Sequence, residues 1–337
     1  MIAKAYMNYG LSRDVVLSIA GLTRHQLYHK PQGVKPGKRP TQTTKWKNHD
    51  TQEVIERPNE ELVESIIKIL SHPDLPNWYR TVTTTLQVQG WYVNHKKVYR
   101  LERENGLLGK ARKRTGRTFV KFRRVTPDGP LRILEMDIKY CWIEGKKSYA
   151  YILTVIDTFT RYVLHWAVGY HMRKEQVKQV WEYVIAIYLQ GADLLNRSID
   201  VEVRNDNGKQ FCAEMIQSFF KENHLNQVFT HPYSPEENGH VESFHKILSR
   251  SLRHGYFENL SHLNKRLKAF YTTYNNQRHH GAIARLSPSH FWTLWEDGQI
   301  MMKKYDKKKA TFKLKIPYQD VLSWKDIDRY LYRVMGT

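Results

Sequence analysis

Leu131-Arg-Ile-Leu-Glu-Met-Asp-Ile-Lys-Tyr140 is an apolar, β-branched run with acids set inside it. Its composition reads as a strand, and a carboxylate such as Asp137 in an otherwise buried strand costs several kcal/mol unless its charge is compensated. A divalent cation would compensate it. The competing reading puts Asp137 on the wet face of an edge strand. Two further acids extend the pattern. Asp206 ends the strand-like run Val201-Glu-Val-Arg-Asn-Asp206, and Glu242 lies in a helical stretch after Pro-Glu-Glu-Asn-Gly-His-Val. Between them lie 35 residues, enough for a tight turn, a helix, a short strand and a loop before a second helix. That length returns Glu242 to the strand ends where Asp137 and Asp206 would lie. Hard oxygen ligands converging at one sheet edge suit Mg²⁺ or Mn²⁺. Asp206 also opens Asp-Asn-Gly, which by itself is more often a turn.

Around that run, apolar stretches at 131–141, 149–156 and 161–169 predict three successive strands. Short turns holding Gly145 and Asp157-Thr-Phe-Thr160 join them. A helix over about 174–190 follows, then a strand at 200–205, a helix at 213–223, a strand at 226–229 and the helix carrying Glu242. A three-strand meander followed by alternating helix and strand is the element order of an α/β ribonuclease-H-like core, a mixed five-stranded sheet with helices. In the last helix Val241, Phe244, Leu248 and Leu252 keep near-helical spacing, while Glu242, Lys246, Arg250 and Arg253 fall on another side. One acid leading a basic stripe would set a metal ligand at a phosphate while the cations hold flanking DNA. The plainer reading is a solvated helix with Glu242 and Lys246 as i,i+4 partners.

Upstream, residues 11–29 read helix, turn, helix, with Gly21 as the break and Thr23 as N-cap of the second helix. Residues 31–57 have linker composition and are expected to be mobile. A second helical unit fills 58–108. Asn59 caps its first helix, a second helix runs from about Arg80 to Gln89, and Asn94 caps a third with Val98, Leu101 and Leu107 inward. Lys96, Lys97, Arg100 and Arg103 are read as outward, which suits a recognition helix in a groove or merely a solvated basic face. From 110 to 124 come Lys110, Arg112, Lys113, Arg114, Arg117, Lys121, Arg123 and Arg124 without one acid. Such a run gains little by packing and much by releasing counterions from a phosphate backbone.

The formal charge of +21 and the pI near 9.7 point to a polyanionic partner, DNA or RNA before membrane. At 41% apolar and 12% aromatic residues the chain is not a disordered polymer, and its 337 residues suggest two or three units. No apolar run approaches the roughly 18 residues of a membrane span, and no signal-peptide core opens the chain, so a cytoplasmic, nucleoid-associated protein is expected. Only Cys141 and Cys212 occur, which argues against structural zinc. His231, His240 and His245 flank a loop without a common helical face and are not read as a metal site.

Several stretches resemble a known family. Trp78-Tyr-Arg-Thr-Val-Thr and Gly90-Trp-Tyr-Val-Asn-His-Lys-Lys-Val-Tyr-Arg-Leu101 resemble a helix-turn-helix preceding a catalytic core. Met136-Asp-Ile-Lys-Tyr140, Asp157-Thr-Phe-Thr-Arg161, Asn205-Asp-Asn-Gly-Lys-Gln-Phe211 and Ser234-Pro-Glu-Glu-Asn-Gly-His-Val-Glu-Ser-Phe244 resemble its catalytic blocks, and Tyr274-Asn-Asn-Gln-Arg-His-His280 with Ser287-Pro288 its closing segment. Together, over about 60–292, they resemble DDE transposases of the retroviral-integrase superfamily, in particular the second-reading-frame transposases of the insertion sequence three family. Several motifs in the right order are far more specific than any one. The resemblance implies an enzyme that binds element ends, nicks DNA to free a 3′-OH and transfers the strand. Asp137, Asp206 and Glu242 would be both catalytic and metal-binding, with two ions per site. It implies a homo-oligomer on DNA and admits an upstream-frame partner protein.

The chain departs from the family at Leu134 and Lys139 around the first acid, at Arg204-Asn205 before the second, and at Ser249, seven past Glu242, where a basic residue is usual. Lys246 and Arg250 are expected to take over that DNA contact. The expected division is a short helix-turn-helix at 1–30, a linker at 31–57, a DNA-binding helix-turn-helix domain at 58–109, a basic linker at 110–129, the integrase catalytic core at 130–295 and a basic tail at 296–337. Rival readings are a sequence-specific DNA-binding regulator using the fold as scaffold and a simple metal-dependent nuclease.

Overall fold

The computed structural model describes residues 2–28, 40–109, 127–191, 201–230, 238–305 and 309–321. The chain forms two compact units, Met1–Gln42 and Thr43–Thr337. The first holds α1 (Ile2–Asn8), α2 (Arg13–Ala20) and α3 (Arg24–Tyr28). Ser12 caps α2 by accepting from the Val15 N–H, and Gly21 ends it in the left-handed region at φ 61°. Thr23 and Gln26 bond reciprocally at the start of α3, the Thr23 cap read from the sequence. Helix α1 was not anticipated.

In the second unit, residues read as mobile linker instead contain a hairpin of β1 (Thr43–Lys47) and β2 (Val54–Pro58). It docks on the following helices, α4 (Asn59–Ser71), α5 (Tyr79–Val88) and α6 (His95–Glu104). Gly90 makes the docking possible, because a Cβ there would lie 2.3 Å from the Lys47 carbonyl oxygen. Asn59 is the first residue of α4 rather than its cap, and its side chain accepts from Thr44 in β1. Leu62, Ile66, Val82, Leu86, Trp91, Val98 and Leu101 fill the small core between these elements.

The large sheet is built from β3 (Ile133–Ile143), β4 (Ser148–Asp157), β5 (Val163–Gly169), β6 (Val201–Asn205) and β7 (Leu225–Phe229). Their order is β5-β4-β3-β6-β7. The first three strands pair antiparallel, whereas β6 pairs parallel with both β3 and β7. This mixed five-stranded sheet with helices is a ribonuclease-H-like core. On one face Leu134, Met136, Leu153, Val155, Val201 and Val203 pack against α7 (Lys174–Val184) and α8 (Glu214–Glu222). On the other, Ile143, Ile152 and Ile156 pack against α9 (Gly239–Leu252) and α10 (Leu260–Asn276). Alternation along a strand therefore sends the even-numbered side chains of β3 to the first face and the odd-numbered ones toward α9.

After α11 (Pro288–Glu296) comes a hairpin of β8 (Ile300–Tyr305) and β9 (Lys309–Leu314), in the region expected to be a basic tail. Ile300, Leu314 and Val321 are buried with Phe159 and Phe291, so the segment through 321 packs on the core. Its final short turn also touches the helical unit, where Gln319 donates to the Trp91 carbonyl at 2.9 Å.

Candidate active site

Two of the three acids lie by neighbouring parallel strands, Asp137 within β3 and Asp206 just past the end of β6. The register pairs Glu135 with Arg204, two residues before Asp137 and Asp206 respectively, and the Asp137 charge acts on Asp206. Asp137 is half-buried, and its Oδ1 accepts the Ile138 N–H at 2.7 Å. Asp206 follows the last residue of β6, with its Oδ1 accepting from the Gly208 N–H at 3.0 Å. Loss of hydration, together with the neighbouring Asp137 charge, pushes the Asp206 carboxyl above its ordinary value despite that bond. The turn is held by Asn205, which donates to the Asp206 carbonyl, and by Asn207, which donates to the Thr230 carbonyl at 3.1 Å.

The third acid stands in the first turn of α9. Val241, Phe244 and Leu248 bury that helix on the sheet, while Lys246, Arg250 and Arg253 are exposed, as their spacing predicted. His245, one turn after Glu242, brings Nδ1 to 3.3 Å from Asp137 Oδ2. At the start of α9, His240 Nδ1 lies 2.8 Å from Glu135 Oε1. Burial, with the Arg161 charge, holds His240 below its ordinary value. Ser249, standing where the resemblance expects a basic residue, turns its hydroxyl back to the His245 carbonyl at 2.7 Å.

The upstream basic residues read as DNA contacts divide four ways. Lys96 and Arg103 are exposed on α6. Lys97 is not outward in that sense, because its Nζ donates to the Thr43 carbonyl at 2.8 Å and to Thr44 Oγ1 at 2.7 Å, clamping the hairpin to α6. Arg100 is half-buried, 3.7 Å from Glu104. Lys110, Arg112, Lys113, Arg114, Arg117, Lys121, Arg123 and Arg124 lie outside the described residues.

Two models described as integrase core domain match residues 127–235 and 223–288, and an HTH-like domain matches residues 79–115. The chain is 26% identical over 235 residues to an uncharacterized 31.7 kDa protein of insertion element IS407 from Burkholderia multivorans, covering 69% of this chain and 81% of that protein. The integrase-core matches and the insertion-element relatives support the DDE transposase/integrase superfamily. The same matches support a polynucleotidyl transferase. The chain is 30% identical to transposase InsD of insertion element IS2D from Escherichia coli, over 52% of this chain and 60% of that one. It thus spans under two thirds of some of these relatives. Among solved structures it is similar to the simian T-cell lymphotropic virus intasome in complex with PP2A regulatory subunit B56 gamma, with a TM-score of 0.41, 15% identity, and coverage of 60% of this chain and 67% of that chain. It is also similar to the HTLV-2 integrase catalytic core domain in complex with magnesium, with a TM-score of 0.32, 18% identity, and coverage of 46% and 92%.

For a superfamily that carries three acids, the donor chemistry here fits a hard divalent cation in part. Asp137 and Asp206 carry oxygen donors whose mutual repulsion a cation would relieve. Yet among the described residues no three His, Cys, Asp or Glu side chains come close enough together to hold a metal ion. Sequence reasoning missed Glu135 and the contacts of His240 and His245. A signal was available for Glu135, since it is an acid in the same apolar run as Asp137 and the cost argued for one applies equally to the other. Among the described residues no helix is long and apolar enough to cross a membrane.

Proposed function

We propose that this protein binds the ends of a mobile DNA element, nicks DNA to free a 3′-OH and joins that end to a second phosphodiester. The observation that carries the reading is that Asp137 on β3 and Asp206 just past β6 lie near enough for the charge of one to act on the other, with Glu242 in the first turn of α9. Asp137, Asp206 and Glu242 are the residues that would hold two Mg²⁺ or Mn²⁺ ions, which when bound supply the Lewis acidity for in-line attack by water and then by the 3′-OH. Lys246 and Arg250, exposed on α9, and Arg253 just past its end hold the flanking phosphates. Lys96 and Arg103 on α6 read the groove or its backbone, and the basic run from Lys110 to Arg124 tracks the DNA between the two. Arg100 contributes less, its charge being shared with Glu104. The division into a helix-turn-helix unit, a basic linker and a catalytic core belongs to the same reading. So do a homo-oligomer on double-stranded DNA, an upstream-frame partner and a cytoplasmic, nucleoid-associated location.

The test incubates the protein with its own element's end sequences and Mg²⁺ and compares wild type with Asp206→Ala. Joined ends that vanish in the variant are expected. Cut ends never joined would make it a nuclease, and specific binding without any cleavage would make it a regulator; either result overturns the reading.

A further inference from the structure

Glu135 is fully buried in β3, two residues before Asp137 and on the same side of the strand. Its Oε2 accepts the backbone N–H of His240 at 2.9 Å and of Val241 at 2.8 Å, while Oε1 takes the His240 ring at 2.8 Å. Those two backbone groups are unsatisfied donors of the first turn of α9, which a helix ordinarily serves from its own N-cap. Asn238, in the N-cap position, makes no such bond and instead turns its amide to the Met136 carbonyl at 3.4 Å. The cap of α9 thus comes from a strand more than 100 residues earlier. Charge favours the arrangement twice. The carboxylate meets the positive end of a helix dipole, and the Arg161 guanidinium acts on it from the turn between β4 and β5.

We propose that Glu135 is a positioning residue whose carboxylate, by capping α9 from β3, fixes where Glu242 stands relative to Asp137. The inference rests on the reading that those two acids share one site. The geometry gives the role its specificity. One strand carries Glu135 and Asp137, one helix turn carries Val241 and Glu242 in succession, and the cap joins the two elements one step away from the reacting pair. A shift of α9 along the strand would break the two backbone bonds and the His240 bond together. Partners that hold metal ligands in place commonly change metal affinity about 10- to 100-fold when removed.

The full chain is compared as wild type, Glu135→Ala and Glu135→Gln. Glutamine keeps an oxygen for the two N–H groups, so it separates the cap from the charge. Three readouts are taken: hydrogen exchange of the peptide holding His240 and Val241, Mn²⁺ binding followed by electron paramagnetic resonance, and nicking rate against Mn²⁺ concentration. Glu135→Ala is expected to exchange at least tenfold faster at those amides, to bind Mn²⁺ about tenfold more weakly, and to lose kcat with KM for DNA unchanged; Glu135→Gln recovers most of each. Unchanged exchange in Glu135→Ala, or unchanged Mn²⁺ affinity once exchange has risen, overturns the proposal. Should Glu135→Ala not fold, unchanged Mn²⁺ affinity and exchange in a folded Glu135→Gln uphold it, and loss of Mn²⁺ binding with exchange intact sinks it. Absence of nicking in wild type would remove the proposed function but leave exchange and Mn²⁺ binding to decide the cap.

Discussion

Arg266 on α10 grips both oxygens of Asp74, with Nη1 at 2.8 Å and Nη2 at 2.6 Å. Asp74 belongs to the loop after α4 in the helix-turn-helix region, so the pair fastens that region to the catalytic core. Ser251 adds a third bond to the same carboxylate at 2.6 Å, and Arg278 donates to the Asp74 carbonyl. Breaking such a pair strands a buried charge, whereas an exposed pair would contribute little. Asp74→Ala is therefore expected to lower stability by about 3 kcal/mol, near the low end for a buried pair because Arg266 retains some exposure. Urea unfolding measures it, and a loss below about 1 kcal/mol would mean the bridge is solvated.

The same carboxylate sets a pH dependence. Burial alone would raise the Asp74 carboxyl, but hydrogen bonds from Arg266 and Ser251 outweigh it and hold the group below its ordinary value. A depressed folded value means the stabilisation is fully present above the unfolded value near 3.9 and disappears as pH falls through the lower folded value. Wild type should accordingly exceed Asp74→Asn in stability at neutral pH, with the gap closing only below about pH 4. A gap that instead closes near pH 6 would assign it to a histidine.

His279 acts in the same direction over a higher pH window. Burial, reinforced by His290, pushes its imidazole down to about 3, and its Nδ1 lies 3.2 Å from Thr85 Oγ1 on α5. The unfolded chain takes up that proton near pH 6.5, the folded one only near 3, so stability falls as pH drops between the two values. The contribution is up to about 1.4 kcal/mol per pH unit. His279→Asn is expected to flatten the acid limb of the stability curve by about one proton. An unchanged slope between pH 4 and 6 would show that His279 is protonated in the fold.

Much of this architecture is legible in local pattern because strand alternation and helix spacing are local. Leu134, Met136 and Ile138 announce a strand with one apolar face, and Val241, Phe244 and Leu248 announce the helix that covers the other. What stayed hidden depends on partners distant in sequence. The hairpin at 43–58 reads as linker because its strands are largely polar, and the surfaces it packs on, Trp91 and Gly90, come from beyond α5. Lys97 reads as outward on a helical wheel because nothing in α6 reveals the hairpin lying over it. The role of Glu135 is invisible for the same reason. A buried acid declares that a partner exists, but not that the partner is the backbone of a helix start over 100 residues away.

Repulsion between Asp137 and Asp206 makes a prediction that needs no DNA. With chelator present, Asp206→Asn should melt at or above the wild-type temperature, since it removes one of two crowded charges. Added Mn²⁺ should then raise the wild-type melting temperature and leave that of the variant almost unmoved. At a concentration about 100 times its Kd, a cation binding only the folded state contributes about 2.7 kcal/mol. Equal stabilisation of both proteins by Mn²⁺ would take Asp206 out of the site.

The division among the α6 cations can be read from salt dependence. Each cation that neutralises one phosphate adds about one unit to the slope of log K against log salt. Lys96→Ala and Arg103→Ala, both at exposed positions, should each lower that slope by about 1 while leaving the melting temperature unchanged. Lys97→Ala should do the reverse. Its ammonium is spent on Thr43 and Thr44, and burial lowers its affinity for a proton, so its loss loosens the hairpin without releasing a counterion from DNA. Duplex binding measured at several salt concentrations beside thermal unfolding separates the two classes. A slope change for Lys97→Ala as large as that for Lys96→Ala would mean that DNA draws the side chain away from the hairpin.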